Sequence, residues 1–376
     1  MARVLFICPR FPRPERIGLS MRASVSLDGL VRDHEVSVAV VRWVDEAEQW
    51  ELGWAAARAE RATLVGHAPD PASARSWLAS PRGRDVLRAP LPDLVRRVPP
   101  AVGDEIARRF APATFDAVVV MRSYLAGAAV PFLEAGVPGI LDADDDEAQA
   151  QRSLAIIGAG DLDEAARYDA FQRTVFPWFE HVLLAARADA VGSFGHLPNA
   201  IRLPAHPTTR PRADGPLELL YVGDPGHPPN RDAVERITRH VLPDLTAEGI
   251  DARLLHPGRH DDVGPFYARA HIAVVPLRAG GGTSIKVLEA FAHGCPVVAT
   301  PTGARGLEVR AGEHLVVTDD DEDVRAFTRA IADLASDEDR RVRLATNARG
   351  FVAEHHDADA VGAQLSALVT RTGRHR

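Results

Sequence analysis

The strongest constraint on the fold is a repeated pattern in which a short apolar, β-branched run ends at Gly, Pro or Asp and precedes a helical pattern. Runs of this kind lie at 3–9, 34–43, 115–123, 137–145 and 181–186 in the first half, and at 217–224, 251–258, 270–277, 295–300 and 313–318 in the second. Strands that are apolar throughout are typical of a parallel sheet covered on both faces by helices. The sequence therefore predicts an α/β fold with two doubly wound, Rossmann-like domains.

The domain boundaries are suggested by a break in this pattern. Segment 206–216 is rich in proline and charge and has no periodicity, so we predict a linker there. The chain of 376 residues then divides into an N-terminal domain over 1–205 and a C-terminal domain over 217–355. A terminal helix over 356–376 is expected to pack back on the first domain. The C-terminal ends of both sheets would face one shared cleft, where ligands of such folds bind.

Charge and composition exclude several classes of partner. The net charge is −8, and residues 1–205 contain 23 Arg against 27 Asp and Glu, so we expect neither a nucleic-acid partner nor membrane association. No apolar run approaches the roughly 20 residues that span a bilayer. The two cysteines, Cys8 and Cys295, lie in apolar runs, which favours reduced thiols and a cytoplasmic location. Composition leaves the oligomeric state open.

The segment "GGGTSIKVLEAFAHGCPVV", residues 280–298, contains the only lysine of the chain. It follows a predicted strand and reads as a glycine loop that leads into a helix. Three glycines allow the backbone to approach a ligand closely. The free N–H groups and the dipole at a helix N-terminus attract anions. The segment therefore predicts an anion-binding site.

Two charged residues in this helix suggest which anion binds. Lys286 lies in the first turn, where a positive charge costs roughly 0.3–1 kcal/mol unless an anion neutralises it. Glu289 lies one turn later on the same side, where its carboxylate can accept hydrogen bonds from the vicinal hydroxyls of a ribose. The alternative interpretation is an i, i+3 ion pair on a solvated helix face. We expect the Lys286 side chain to be exposed.

The sequence of 276–308, "PLRAGGGTSIKVLEAFAHGCPVVATPTGARGLE", resembles the donor-binding signature of group 1, or family 4, retaining glycosyltransferases of the GT-B fold. Residues 221–234 resemble the phosphate-side loop of one branch of that family, and residues 258–277 resemble the segment that leads into the donor loop. The resemblance covers most of 217–320. It implies two Rossmann-like domains facing across a cleft, with the sugar-nucleotide donor on the second and the acceptor on the first. It also implies transfer with retention and no requirement for a metal or other cofactor.

The resemblance also implies roles for individual residues. Glu289 would take the ribose hydroxyls, and Lys286 with the loop amides would take the diphosphate, where charge develops as the nucleotide leaves. The predicted donor-binding residues are Gly18, Gly223, Asp224, His227, Asn230, Gly281, Gly282, Thr283, Ser284, Lys286 and Glu289. The predicted catalytic residues are Lys286, Glu289, Arg122 and Asp145.

The first-domain candidates follow two predicted strands. Arg122 comes after "FDAVVV", and Asp142, Asp144, Asp145 and Asp146 come after "PGIL". Carboxylates at the mouth of a cleft can bind a polyhydroxylated or cationic acceptor, or serve as a general base. A divalent cation and helix capping are the alternatives. We predict no metal site.

The chain departs from the family pattern at three places. Gly281 stands where the family carries a glutamate that contacts the donor sugar. Asp224 and Pro225 stand where many members have an arginine, so charge compensation would fall on Lys286, with Arg231 or Arg278 as further candidates. The span between 221–224 and 258–262 is short by about one strand–helix unit, which affects the wall that recognises the base.

The leading functional hypothesis is a hexosyl-type glycosyltransferase that moves a sugar from a nucleoside diphosphate to a soluble small molecule, as in antibiotic biosynthesis. One alternative is a glycosyltransferase of polysaccharide or cell-wall assembly. A second is a sugar-nucleotide-binding protein with weak or no catalysis, which the glycine at position 281 suggests. A third is a sugar-nucleotide epimerase on the same fold.

Overall fold

The computed structural model describes residues 1–14, 18–43, 52–67, 80–86, 88, 90–98, 101–208, 215–258 and 260–373. The chain forms two compact units. The first consists of Met1–Gln149, Leu162–Leu197 and Asp359–Arg376, and the second of Ala150–Asp161 and Pro198–Ala358. Each unit contains one parallel sheet with helices, so the predicted α/β class is confirmed.

The first unit contains a seven-stranded sheet in the order β3-β2-β1-β4-β5-β6-β7. Its strands are β1 Arg3–Cys8, β2 Glu35–Trp43, β3 Arg61–His67, β4 Ala117–Met121, β5 Gly139–Asp144, β6 His181–Leu184 and β7 Gly195–His196. All strand pairs are parallel. Strands β4 and β5 are buried along their whole length, as expected for the centre of a sheet covered on both faces.

The helices of the first unit connect these strands. They are α1 Gly18–Asp33, α2 Gly53–Ala56, α3 Pro81–Val86, α4 Asp93–Arg96, α5 Ala101–Arg109, α6 Val130–Glu134, α7 Glu147–Ile156, α8 Leu162–Val175 and, at the end of the chain, α16 Ala358–Gly373. Short 3₁₀ segments lie at Pro112–Thr114, Ser123–Ala129 and Phe176–Trp178. Helix α7 passes from the first unit into the second.

The second unit contains a five-stranded parallel sheet in the order β12-β11-β10-β8-β9. Its strands are β8 Leu217–Leu220, β9 Ala252–Leu255, β10 Ile272–Val275, β11 Val297–Ala299 and β12 Val316–Val317. The order reverses between β8 and β10, and such switch points are where ligands bind in open α/β sheets.

The helices of the second unit are α9 Pro228–Arg236, α10 Leu242–Ala247, α11 Gly264–Arg269, α12 Ile285–Ala292, α13 Pro301–Ala304, α14 Val324–Ser336 and α15 Glu338–His355. A π-helical turn, Ile237–Val241, joins α9 to α10. No helix in the described residues combines the length and the apolarity that crossing a bilayer demands.

Each of the ten predicted apolar runs contains a strand, and two strands were not predicted. The first, β3, has the sequence RATLVGH and is an edge strand that is mostly not fully buried, so it lacks a continuous apolar run. The second, β7, has only two residues and carries no pattern. Sheet edges need fewer apolar residues than sheet centres, which is why both were missed.

The division into units differs from the predicted domains. It falls between Leu197 and Pro198 rather than at residue 205, and residues 150–161, assigned to the first domain by the sequence, belong to the second unit. Residues 209–214 of the predicted linker lie outside the described residues. At the end of the chain the division falls between Ala358 and Asp359.

Helix α16 packs on α1 through a close glycine crossing. A Cβ atom at Gly29 would lie 2.3 Å from the carbonyl oxygen of Gly362, so a side chain there would clash with backbone. Beside the crossing, the Ser366 hydroxyl donates to Asp33 at 2.6 Å, and His34 Nε2 lies 3.1 Å from the Ser366 carbonyl oxygen. The terminal helix is therefore an integral part of the first unit.

Candidate functional site

Helix α12 begins directly after the glycine loop, as predicted. Its apolar face is buried and consists of Val287, Leu288, Ala290, Phe291 and Ala292. It ends in a Schellman motif, in which the Gly294 and Cys295 amides donate to the carbonyls of Phe291 and Ala290 at 2.9 and 2.7 Å. Gly294 has a φ of +65°, which explains why glycine occupies this position. The buried face and the hydrogen-bonded C-terminus hold helix α12, and with it the first turn, in place.

The glycine loop is held from two sides. The Gly280 amide donates to the Ser153 hydroxyl at 2.9 Å, and Arg305 Nη1 donates to the Gly282 carbonyl at 3.3 Å. Gly306 packs so closely that a Cβ atom there would lie 2.7 Å from the Gly282 oxygen. Within the described residues, the amides of Gly281, Gly282 and Ser284 donate to no acceptor, so they are available to an anion.

Ser284 occupies the N-cap position of α12 without capping the helix. Its side chain makes no cap hydrogen bond, and its hydroxyl oxygen is buried without a partner in the described part of the chain. An N-cap serine normally accepts a hydrogen bond from the first turn of its helix. Buried polar atoms are nearly always paired, so this hydroxyl is available to a ligand.

Lys286 is partly buried, so the expectation that it is exposed was wrong. Burial lowers the pKa of its ammonium to about 8, against the opposing effect of Glu289. Nζ lies 5.5 Å from the centroid of the Tyr221 ring, within the range of a cation–π contact. The Tyr267 hydroxyl donates to the Lys286 carbonyl at 3.3 Å and so braces the backbone of this turn.

Glu289 is partly buried as well, and burial raises the pKa of its carboxyl to about 7. The positive charge of Lys286 opposes this shift. Nevertheless, no ion pair within 4 Å joins Lys286 and Glu289 in the described structure. The alternative of a solvated i, i+3 ion pair is therefore wrong: both groups are desolvated, and neither neutralises the other through direct contact.

The loop after β8 is built around Asn230. The Tyr221 hydroxyl donates to Asn230 Oδ1 at 2.8 Å, and Asn230 Nδ2 donates to the Asp224 carbonyl at 2.9 Å. A Cβ atom at Gly223 would lie 2.7 Å from Asn230 Cγ, so only glycine fits there. Asp224 in turn accepts a hydrogen bond from the Gly226 amide at 2.8 Å. Asn230 is thus a positioning residue that shapes the loop.

His227 precedes helix α9 and lies close enough to Lys286 to respond to its charge. Partial desolvation of the ring, and then the positive charge of Lys286, lower the pKa of His227. The loop after β8 and the first turn of α12 therefore meet in one corner of the second unit. We call this corner the donor corner; its residues are Tyr221, Gly223, Asp224, His227, Asn230, Gly281, Gly282, Thr283, Ser284, Lys286 and Glu289.

His256 belongs to the same neighbourhood, and the sequence analysis did not single it out. It follows β9, its ring centroid lies 5.8 Å from that of Tyr221, and its Nδ1 lies 3.0 Å from the Tyr221 carbonyl oxygen. Its Nε2 is buried with no hydrogen-bond partner among the described residues. His256 lies near the end of the predicted run at 251–258, and a histidine at the end of a strand was the available signal.

Arg278 does not supply the charge compensation that was considered for it. Its guanidinium is committed to two carboxylates, pairing with Asp232 and, at 3.1 Å, with Glu322. These bonds raise the pKa of Arg278 further above its ordinary value. Lys286 is therefore the cation that the donor corner itself offers.

In the first unit, Arg122 and Asp145 form part of a buried ion-pair network. Arg122 Nη1 donates to Asp144 and to Asp145, each at 3.0 Å, and Nη2 lies 3.4 Å from Glu147. Arg122 and Asp144 have φ values of 76° and 66°, an uncommon conformation for residues with side chains. Strain of this kind persists only where the surroundings hold it, and it is frequent at functional sites.

A second arginine completes this network. Arg22 Nε and Nη2 donate to Asp142 at 2.9 and 2.6 Å, and Arg22 lies 3.5 Å from Asp144. Burial raises the pKa of Asp142 and of Asp145, and it raises that of Glu147 to about 7, against the charge of Arg122. The network therefore holds more carboxyls than two guanidinium groups neutralise.

The remaining predicted residues are located as follows. Gly18 is the first residue of α1, in the first unit. Asp146 accepts from the Gln149 amide at 3.1 Å and so supports the start of α7, in line with the capping alternative. In the described chain no three His, Cys, Asp or Glu side chains are grouped so as to hold a metal ion. The structure thus brings most of the predicted residues together in two groups, one per unit, and leaves Gly18 outside both.

The fold and the donor corner define the class: an α/β protein whose second parallel sheet leads into a glycine loop and a helix N-terminus of the anion-binding type. A family model described as "Glycosyl transferases group 1" matches residues 190–337. This segment contains the donor corner, so the similarity to group 1 glycosyltransferases includes the predicted donor-binding residues of the second unit.

The chain is also similar to part of two curated proteins. Lipopolysaccharide core biosynthesis glycosyltransferase LpsE of Rhizobium meliloti is 29% identical over 141 residues, 37% of this chain and 40% of LpsE. Lipopolysaccharide core biosynthesis mannosyltransferase LpcC of Rhizobium leguminosarum is 33% identical over 132 residues, 34% of this chain and 36% of LpcC. The similarity to these curated relatives thus spans well under half of their length.

Solved structures agree with the whole fold. Sucrose-phosphate synthase from Thermosynechococcus elongatus has a TM-score of 0.71 at 13% identity, and the alignment covers 100% of both chains. Anabaena HepE, solved with UDP and glucose, has a TM-score of 0.63 at 14% identity over 98% of this chain and 100% of that one. At these identities the likeness concerns the fold, which is that of GT-B glycosyltransferases.

Proposed function

We propose that this protein is a glycosyltransferase that binds a nucleoside-diphosphate sugar in the donor corner and transfers the sugar to an acceptor. Lys286 and the amides of Gly281, Gly282 and Ser284 hold the diphosphate. Glu289 accepts hydrogen bonds from the ribose hydroxyls. The reaction needs no metal, because the ammonium and the amides stabilise the charge that develops on the departing nucleotide.

The observation that carries the proposal is the state of Lys286 and Glu289. Both side chains are partly buried, their pKa values move toward 8 and 7, and they form no ion pair with each other within the described chain. Desolvated charges without direct partners are costly unless a ligand compensates them. A nucleotide that is anionic at one end and carries vicinal hydroxyls beside it compensates both.

Catalytic roles are proposed for Lys286 and for two residues of the first unit. Lys286 stabilises the leaving diphosphate, and Arg122 and Asp145 of the first unit act on the acceptor side, with Asp145 as general base. Asp145 suits this role because burial, and then the charge of Asp144, raise the pKa of its carboxyl and so make the carboxylate a stronger base. Transfer with retention is part of the proposal and rests on the resemblance of the donor loop to retaining enzymes.

The chemical class of the acceptor is the most specific part of the proposal. A soluble small molecule fits the net charge of −8. A glycan acceptor is the second candidate, because LpsE and LpcC are named for lipopolysaccharide core biosynthesis. A catalytically weak sugar-nucleotide-binding protein is the third, because Gly281 offers no side chain to the sugar. Incubation with donor and each acceptor class, followed by mass spectrometry, distinguishes the three.

The donor is identified by thermal unfolding of the purified protein with UDP, GDP, dTDP and ADP and with their sugars. The nucleotide that fits raises the midpoint by an amount that grows with the logarithm of the ratio of its concentration to its dissociation constant. Release of nucleoside diphosphate is then followed with and without acceptor. A protein that none of these nucleotides stabilises would disprove the proposal, whereas conversion of the donor without acceptor would indicate an epimerase.

A further inference from the structure

His256 lies at the end of β9, beside the ring of Tyr221, and one of its ring nitrogens has no partner. Nδ1 is 3.0 Å from the Tyr221 carbonyl oxygen. A carbonyl oxygen only accepts hydrogen bonds, so Nδ1 must carry the hydrogen. In the neutral ring, Nε2 then presents a lone pair and acts as an acceptor. The tautomer is thus fixed by the backbone of β8.

The lone pair at Nε2 is buried and unsatisfied within the described residues. Leaving a buried acceptor without a donor costs about 1–3 kcal/mol, and such atoms are rare in folded proteins. Ser284 Oγ is in the same state at the start of α12. Two orphaned polar atoms around the Tyr221–Lys286 contact indicate a ligand that supplies the missing partners.

The topology explains why this histidine is near a ligand. Strand β9 is the edge strand of the sheet, and the described residues between Leu255 and Gly264 form no further strand. A ligand bound at the end of β8 that extends toward this edge of the sheet therefore contacts the residues at the end of β9. His256 is the first residue after that strand.

We infer that His256 is a recognition residue for the donor, whose Nε2 accepts a hydrogen bond from an N–H or O–H group of the bound nucleotide sugar. This inference rests on the proposed function. The diphosphate is not the partner, because its oxygens carry no hydrogen near neutral pH and would repel the lone pair. The ribose hydroxyls are proposed for Glu289. The remaining candidate donors to Nε2 are an N–H of the base and a hydroxyl of the transferred sugar.

The burial of Nε2 means that a ligand can reach it only after a local rearrangement. The atom is closed to water in this structure, so a neighbouring side chain must move when the ligand binds. Such rotamer changes are common at binding sites whose backbone stays in place. The contact with Tyr221 keeps the ring in place while this happens.

Two substitutions distinguish the role of Nδ1 of His256 from that of Nε2. His256→Asn keeps an N–H that reaches the Tyr221 carbonyl and removes the Nε2 acceptor. His256→Gln places an amide oxygen near the Nε2 position. Isothermal titration measures the affinity of the full-length protein and both variants for UDP, UDP-glucose and N3-methyl-UDP, with GDP, GDP-mannose and N1-methyl-GDP in parallel. Thermal unfolding without ligand checks that the variants fold.

The expected result is a loss of about tenfold in affinity for His256→Asn, as for one hydrogen bond, with partial recovery in His256→Gln. A loss that appears with UDP-glucose but not with UDP identifies a sugar hydroxyl. A loss that appears with UDP but not with N3-methyl-UDP identifies the base, and the guanosine series is read in the same way.

A spectroscopic measurement tests the contact directly. In ¹⁵N-histidine-labelled protein, the Nε2 resonance of His256 should shift upfield when the nucleotide sugar binds, and a merely structural ring would not respond. If the wild type binds a nucleotide and His256→Asn binds every ligand equally well with no Nε2 shift, the inference is overturned while the proposed function stands. If the wild type binds no nucleotide, both are overturned.

Discussion

Lys286 Nζ lies 5.5 Å from the centroid of the buried Tyr221 ring, so the only lysine of this chain contacts the residue that directly follows β8 and begins the phosphate-side loop. The contact joins the two segments of the donor corner, α12 and the loop after β8. It holds the charge in place without an opposing carboxylate. The positive charge is thus preorganised for an anionic ligand. Its removal should lower the affinity for that ligand more than it lowers the free energy of unfolding.

Lys286→Met should weaken nucleoside diphosphate binding about 10- to 150-fold, as expected for the loss of hydrogen bonds to a charged group worth about 1.5–3 kcal/mol. The free energy of unfolding should stay within about 1 kcal/mol or rise, because a desolvated ammonium is replaced by an apolar side chain of similar length. Titration calorimetry and urea unfolding measure the two effects.

The matched control for this prediction is Arg239→Ala, which removes a positive charge from an exposed residue paired with Glu235 in the same unit. It should change nucleotide affinity little, since exposed charges are screened by salt. Equal losses in both variants would mean that only net charge matters.

Nucleotide affinity should fall as the pH rises above about 8. The free protein holds Lys286 with a pKa of about 8, and a bound diphosphate raises that pKa, so binding above pH 8 takes up a proton. The neighbouring groups do not titrate in that window, because the pKa of Glu289 is about 7 and that of His227 is lowered below its ordinary value.

Titrations at pH 7.5 and 9.5, in buffers of different ionisation enthalpy, measure both the affinity and the proton uptake. Lys286→Met should bind with equal weakness at both pH values and take up no proton. A fall in affinity of the same size in that variant would assign the pH effect to another group.

The glycine loop and the helix that follows it could be predicted from the sequence because their determinants are local. Glycines, an apolar face and Gly294 at the end of the helix are signals within twenty residues, and the Schellman motif forms as that pattern indicates. The burial of Lys286 could not be predicted in this way. It depends on Tyr221, which is distant in sequence and reaches Lys286 only through the order of β8 and β10.

The acidic cluster at the end of β5 shows the same limit in the first unit. The sequence indicated carboxylates at the end of a strand, available to an acceptor or a cation. The structure neutralises them in part with Arg22, from a helix 120 residues earlier, and with Arg122 after β4. Neither arginine carried a local signal of that pairing.

Glu289→Gln should lower the affinity for a nucleoside diphosphate by about 2–3 kcal/mol, because two hydrogen bonds to a charged acceptor are weakened. The same substitution should have almost no effect on a 2′,3′-dideoxynucleoside diphosphate, which lacks the hydroxyls proposed to contact Glu289. Titration calorimetry of both proteins with both ligands gives a thermodynamic cycle. The difference between the two affinity losses measures the contact between Glu289 and the ribose hydroxyls. A similar loss for both ligands would place Glu289 elsewhere.

Ser284→Ala should leave the free energy of unfolding unchanged within about 0.5 kcal/mol, because the hydroxyl makes no cap bond and has no partner. Asp337→Ala is the matched comparison: Asp337 accepts from the Arg340 amide at 2.8 Å at the start of α15, and its loss should cost about 0.5–2 kcal/mol. Nucleotide affinity should show the opposite order, falling in Ser284→Ala and not in Asp337→Ala. Urea unfolding and titration calorimetry test both halves, and a stability loss in Ser284→Ala equal to that in Asp337→Ala would contradict the proposed availability of the hydroxyl.

Glu147→Gln should stabilise the protein at pH 8 and not at pH 4.5. Burial raises the pKa of Glu147 to about 7 from an ordinary value near 4.5, so between these values the folded state binds a proton that the unfolded state has released. Stability therefore falls as the pH rises through this window, and at pH 8 the cost is on the order of 3 kcal/mol. A glutamine carries no charge, and its amide oxygen can still accept from Ser123 and Gln172, which donate to Glu147 at 2.9 and 3.1 Å. Urea unfolding at both pH values measures the difference. A uniform loss of stability in the variant would mean that Arg122 needs the ionised carboxylate of Glu147 even with Asp144 and Asp145 in place.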